Sequence, residues 1–193
     1  MLLTGSNLTT GFALARRVYL PAISGHQFAS DSYFDLFGLR SGFDVDPKEL
    51  EAAYKDLQRR HHPDRHAMGS EEDQERSAEQ STLVNQAYAT LKKPLQRAKY
   101  VLAQAGHAEA SVGEGTIEDP ELLMKVMEAR ELVESLADSE QLQQLRKENA
   151  DQQERCIQEL GSAFRERSWH KAIELTTELR YITRIGEAIS QKL

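Results

Sequence analysis

The 193-residue chain holds a single cysteine, Cys156. One sulfur can form neither an internal disulfide nor a thiolate zinc cluster. Positive charge is not in excess either: 24 Lys and Arg stand against 31 Asp and Glu, a formal net charge of −7. A general nucleic-acid binder needs broad positive charge to neutralise phosphates, so the balance disfavours that class and leaves room only for a local basic patch. No uninterrupted apolar run approaches the roughly 20 residues of a membrane-spanning helix. No glycine-rich loop suited to cradling phosphate occurs, and no stretch after Asp31 sustains the period-two alternation of a strand. Hydrophobic residues make up 39% of the chain, which excludes wholesale disorder and suffices for one or two domains with real cores.

Acid is also missing from one region. Residues 1–30 contain Arg16 and Arg17 but no Asp or Glu, and the first acid is Asp31. Hydroxyl residues are frequent there: Thr4, Ser6, Thr9, Thr10, Ser24 and Ser30. Arginine, hydroxyls and absent acids make the composition of a mitochondrial transit peptide. A secretory signal fits less well, because Arg16 and Arg17 split the apolar run it needs. Residues 1–30 are therefore read as a targeting segment whose removal takes two positive charges from the net −7 and leaves a body of −9. The expected location is the mitochondrial matrix, or the cytoplasm if the segment does not target.

What is present after Asp31 is helical spacing, with apolar residues recurring at three and four. Asp46-Pro47-Lys48-Glu49 opens a helix: Asp46 can cap it and Pro47 suits its first turn. That helix is expected to end before Pro63. Further helices are expected over about 71–92, 95–104, 119–137, 139–167 and 169–191, with Ser168 capping the last. Gly106, Gly113 and Gly115 punctuate a polar stretch between the third and fourth of these six, read as a linker over 105–118. The expected architecture is all-α: residues 31–104 as one domain and 119–193 as a three-helix bundle.

On a helical projection of 47–62, Leu50, Ala53, Tyr54, Leu57 and His61 share one side, and Leu83, Ala87, Tyr88 and Leu91 can supply an antiparallel partner. Lys48, Lys55, Arg59 and His62 fall on the other side, which therefore faces water. Such a stripe alone is usually only a solvated face. Here it runs into a turn, Pro63-Asp64, carrying an imidazole and a carboxylate. Asp64 can accept a partner's arginine or simply stabilise its own turn. His61, His62 and His66 do not make a metal site, because Pro63 separates their directions.

At this point a resemblance becomes specific. Residues 33–100 resemble a J domain, the module that recruits DnaK-type heat-shock chaperones. The matching features are Tyr33-Phe34-Asp35-Leu36-Phe37-Gly38-Leu39, then Tyr54 and Leu57, then His62-Pro63-Asp64, then Asn85-Gln86-Ala87-Tyr88-Ala89-Thr90-Leu91. The resemblance implies an antiparallel helical hairpin with short flanking helices. It also implies that His62, Pro63 and Asp64 stimulate ATP hydrolysis in the partner, beside the basic residues Lys55, Arg59 and Arg60. The chain would then be a co-chaperone rather than an enzyme.

In the second domain, Leu122, Val126, Ala129, Val133 and Leu136 lie within about 40° of one line on their helix. Leu142, Leu145, Cys156, Leu160, Ala163 and Phe164 form a stripe on the next, and Ala172, Leu175, Leu179, Ile182 and Ile189 on the last. A bundle can close on these without Leu123, Met127 or Tyr181, which lie off the stripes. The surplus either extends the core, covers the first domain or forms a docking patch. Here too a resemblance bears on the choice. Leu91-Lys92-Lys93-Pro94-Leu95-Gln96-Arg97-Ala98-Lys99-Tyr100, Asp119-Pro120-Glu121-Leu122-Leu123-Met124-Lys125-Val126-Met127-Glu128 and Glu178-Leu179-Arg180-Tyr181 are similar to the HscB family of iron–sulfur cluster assembly, closest to its mitochondrial branch. That resemblance implies that the bundle binds an IscU-type scaffold through Leu122, Leu123, Met127 and Tyr181, with Lys125 and Glu128 as polar neighbours. It implies no cofactor and no metal: some relatives carry paired amino-terminal cysteines, whereas Cys156 falls in a core stripe. The alternative function is a general J-domain protein that delivers unfolded clients.

Overall fold

The computed structural model describes residues 32–61, 70–108, 120–136 and 138–193, leaving aside the side chains of 120–123 and 125. The expected targeting segment over 1–30 and the expected turn at His62-Pro63-Asp64 lie outside these residues. Seven helices and no strand are found among the described residues: α1 (Tyr33–Leu36), α2 (Pro47–Arg60), α3 (Glu71–Lys92), α4 (Pro94–Gln104), α5 (Pro120–Ser135), α6 (Ser139–Arg165) and α7 (Trp169–Lys192).

The helix starts follow from local chemistry. Asp46 accepts the Lys48 N–H at 2.7 Å, Ser70 the Asp73 N–H at 3.2 Å, and Asp138 the Glu140 N–H at 2.9 Å. Each satisfies a donor that the first helical turn leaves orphaned. Pro47, Pro94 and Pro120 each stand at a first helical position, where the missing N–H costs nothing. Ser168 departs from expectation. It occupies the cap position of α7, but its side chain makes no capping bond. The α6–α7 corner is instead set by backbone: Arg167 adopts a left-handed φ of 54°, and the Ser168 N–H reaches back to the Ala163 carbonyl at 2.9 Å.

α2 and α3 form the antiparallel hairpin. Tyr54 stacks on Tyr88 with centroids 3.9 Å apart, Tyr54 donates its hydroxyl hydrogen to the Asn85 side-chain oxygen at 2.9 Å, and Ser77 donates to the His61 carbonyl at 3.0 Å. Partner numbers fall on one helix as they rise on the other. The core between them holds Leu50, Val84, Ala87 and Leu91, and α1 closes it with Tyr33, Phe34 and Leu36.

In the second lobe α6 and α7 pair along their length, and α5 lies on α7. The main core is built from Cys156, Leu160, Ala163 and Phe164 of α6 with Ala172, Leu175, Leu179 and Ile182 of α7. At the far end Val133 of α5, Leu142 of α6 and Ile189 of α7 meet in a smaller cluster. Asn149 is buried between the helices and donates to the Ile182 carbonyl at 3.1 Å.

The helix α4 belongs to both lobes. Tyr100 stacks on Tyr33 at 4.5 Å and its hydroxyl oxygen accepts the Tyr33 N–H at 2.8 Å, while Ala98 and Leu102 are part of the second core. Val101 packs against both. The segment after α1 adds a second seam: Phe43 stacks on Phe164 at 5.0 Å, the buried Arg97 guanidinium lies 4.9 Å from the Phe43 ring, and Asp44 pairs with Arg165. Gly161 faces this seam, and a Cβ there would stand 2.7 Å from an Asp44 carboxylate oxygen. The first residues of the expected linker are drawn in as well. Gly106 takes a left-handed φ of 91°, the His107 N–H bonds the Leu102 carbonyl at 2.9 Å, and the His107 ring lies 5.5 Å from Trp169.

Candidate functional site

Two surfaces carry the candidate residues. The first is the water-facing side of α2. Its other side is anchored by Leu50 and by the packing of Ala53, Tyr54 and Leu57 on the hairpin core, so Lys48, Lys55, Arg59 and Arg60 are exposed. Acids interleave them. Lys55 Nζ lies 2.7 Å from Glu51, one turn back, and Arg59 and Arg60 both pair with Asp56. The Lys55–Glu51 hydrogen bond holds the Glu51 carboxyl below and the Lys55 ammonium above their ordinary values. The face is thus a lattice of pairs rather than a plain cationic stripe. The i,i+4 spacing of Glu51 with Lys55 and of Asp56 with Arg60 carried that information in the sequence. Solvent-exposed pairs of this kind are individually weak, so their arginines and lysines can exchange one carboxylate for another at little cost.

Where α2 ends, His61 caps it: its N–H bonds the Leu57 carbonyl at 3.0 Å, and its own carbonyl is held by Ser77 of α3. The chain therefore leaves α2 toward His62-Pro63-Asp64 from a point fixed to the hairpin.

The second surface lies on α5. Val133 is buried, while Val126 and Ala129 are partly so, which fixes the core side of the helix as the spacing predicts. Met127 stands 53% exposed and Glu128 is exposed. The side chains of Leu122, Leu123 and Lys125 lie outside those described. Met124 is 61% exposed, and the sequence reading did not single it out. The same projection contained the signal, since Met124 falls about 200° from the core line of α5 and about 60° from Met127. Leu132 is also exposed, at 57%, on the other flank.

Tyr181 is half-buried: off the core stripe of α7 as the spacing predicts, it still packs against the main cluster of the second lobe. α7 is contacted by α4, α5 and α6 and keeps a solvent-facing line of His170, Glu174, Glu178 and Arg184. Cys156 does occupy the core. Its Sγ lies 3.4 Å from the Leu175 carbonyl, and burial, with smaller contributions from Glu178 and Glu159, pushes its pKa up to about 12. Among the described residues no group of three or more His, Cys, Asp or Glu is placed to hold a metal ion.

A basic-faced helical hairpin closed by a short aromatic helix and keyed through a fourth helix into a helical bundle defines a J-domain protein with a specialised carboxy-terminal lobe. Residues 32–100 match the DnaJ domain, and residues 118–190 match the HSCB C-terminal oligomerisation domain. The chain is 37% identical over 164 residues to a co-chaperone protein HscB homologue of Neisseria meningitidis, covering 83% of this chain and 98% of that one. It is 36% identical over 165 residues to an iron–sulfur cluster co-chaperone protein HscB homologue of Arabidopsis thaliana, covering 85% of this chain and 64% of that longer relative. Its fold is similar to the crystal structure of human co-chaperone protein HscB, with a TM-score of 0.75 at 28% identity and coverage of 95% and 94%. The chain belongs to the HscB family of J-domain co-chaperones.

Proposed function

We propose that this chain is an adaptor of iron–sulfur cluster assembly, holding an IscU-type scaffold on its second lobe and recruiting a DnaK-type heat-shock chaperone with its first. The observation that carries this is the pair of methionines left in solvent on α5, on a bundle whose core is otherwise closed and which shares α4 with a J domain. Exposed apolar groups at adjacent helical positions suit a folded partner with a complementary pocket. Leu122, Leu123 and Met127 supply apolar contact, Tyr181 borders it, and Lys125 and Glu128 are its polar neighbours. Met124 belongs to the same face.

On the J domain, Lys55, Arg59 and Arg60 engage an acidic region of the chaperone's ATPase domain, and His62, Pro63 and Asp64 stimulate its ATP hydrolysis. The encounter is electrostatically steered and weakens with salt. Because both partners sit on one body, delivery of scaffold to chaperone becomes effectively intramolecular. The hydrolysis occurs in the partner, so the chain acts without being an enzyme. Residues 1–30 direct it to the mitochondrial matrix, in keeping with the composition of that segment and the similarity to a plant homologue.

The test is a pair of variants assayed with both partners. His62→Gln is expected to abolish stimulation of the chaperone ATPase while thermal stability and scaffold affinity stay unchanged. Joint Leu123→Ala and Met127→Ala is expected to weaken scaffold binding about tenfold or more without lowering the melting temperature. Retained stimulation by His62→Gln rejects the J-domain role. Competition of scaffold binding by extended apolar peptides points instead to a general client-delivering J protein.

A further inference from the structure

The two exposed methionines differ from ordinary apolar anchors in one chemical respect: a thioether can be oxidised. Met124 and Met127 are three residues apart on α5, neighbours on the helix surface, and are 61% and 53% exposed. α5 turns Val133 into the bundle core, while Met124 and Met127 remain open to solvent, so a small oxidant reaches both without any part of the fold opening. Cys156, the one thiol, is buried at 3% exposure against the Leu175 carbonyl, and burial keeps it protonated, which removes it as the competing target. Of the four methionines in the chain, Met1 and Met68 lie outside the described residues.

We propose that Met124 and Met127 form a peroxide-sensitive modification site that turns the α5 docking face off. The inference rests on the scaffold-binding role proposed for that face. In each step a sulfur lone pair attacks one oxygen of hydrogen peroxide, the O–O bond breaks, and the second oxygen leaves as water after proton transfer. The sulfur is oxidised by two electrons to a sulfoxide and the peroxide is reduced. A flexible apolar side chain becomes a polar one with a strong acceptor oxygen. In water this changes little, so the bundle tolerates it. Inside an apolar pocket of a partner that oxygen is desolvated without a donor, which opposes docking. Methionine sulfoxide reductases restore the thioether, making the switch reversible.

The experiment uses the whole chain and a folded IscU-type scaffold. Mild hydrogen peroxide is expected to add one oxygen to Met124 and one to Met127 by peptide mass mapping, to weaken scaffold binding by about tenfold or more, and to leave the melting temperature unchanged. Treatment with both reductases restores the affinity. M124L/M127L, close to volume-conserving, is compared only with itself: whatever its untreated affinity for scaffold, the ratio of its affinities with and without peroxide is expected to stay near one. Full conversion to sulfoxide with unchanged affinity overturns the proposal. So does an equal peroxide loss in M124L/M127L, or a fall in melting temperature that tracks the loss of binding. Absence of binding by the untreated chain is a different failure, one of the docking role itself.

Discussion

Cys156 illustrates how one side chain is decided by its surroundings. Its thiol is packed among Leu160, Leu175 and Leu179, and burial raises its pKa from an ordinary 9.0 to about 12. The proton is therefore held more tightly in the folded state than in the unfolded one. Stability from this group is fully present below about pH 9 and is lost as pH rises toward about 12. Iodoacetamide at pH 8 is expected to leave the native chain unlabelled and to label it only in denaturant; native-state labelling at the unfolded rate would show that the core opens. The core assignment of Cys156 was legible from its place in the helical stripe. The projection also set Tyr181 off the core stripe, but not how far it leans on the main cluster, since that depends on neighbours outside its own helix.

At the scale of elements, α6 and α7 depend on a close approach that helical spacing does not reveal. Gly186 lies on α7 where a Cβ would come within 2.8 Å of the Asn149 side-chain oxygen, and Asn149 is itself tied to the Ile182 carbonyl. Gly186→Ala is expected to destabilise by ~1–3 kcal/mol, because Asn149 cannot retreat without losing that bond. In an Asn149→Ala background the same change is expected to stabilise by up to ~1 kcal/mol, since alanine then supplies helix propensity with nothing in its way. Urea denaturation of the four-member cycle measures the coupling, and simple additivity would mean the two side chains do not meet. The helix boundaries themselves were readable because capping and proline chemistry is local: Asp46, Ser70, Asp138, Pro47, Pro94 and Pro120 each act on their own turn. Ser168 misled for the same reason in reverse, since the corner before α7 is settled by Arg167 and backbone bonds that no residue preference announces.

At the scale of the molecule, the sequence divides near 105 but the packing divides along α4 and the Phe43–Phe164 seam. Composition marks the polar, glycine-containing stretch after Gly106, whereas the contacts that join the lobes come from residues 121 positions apart, such as Asp44 and Arg165. No local pattern encodes those. Phe43→Ala removes a buried ring shared by Arg97 and Phe164 and is expected to cost ~3–5 kcal/mol. In the native chain, fluorescence of the single tryptophan, Trp169 beside His107, and backbone circular dichroism are expected to report one coincident transition. In Phe43→Ala the two probes are expected to separate. Coincident curves in the variant would mean that α4 alone couples the lobes.

The bare backbone at Gly161 leaves the Asp44 carboxylate a berth against α6. A single added carbon there stands 2.7 Å from that oxygen, so the exposed Asp44 side chain must turn aside and its pair with Arg165 must rearrange. The seam between the lobes can therefore be loosened at Gly161 without changing any residue of the charged α2 face or of the exposed methionines on α5.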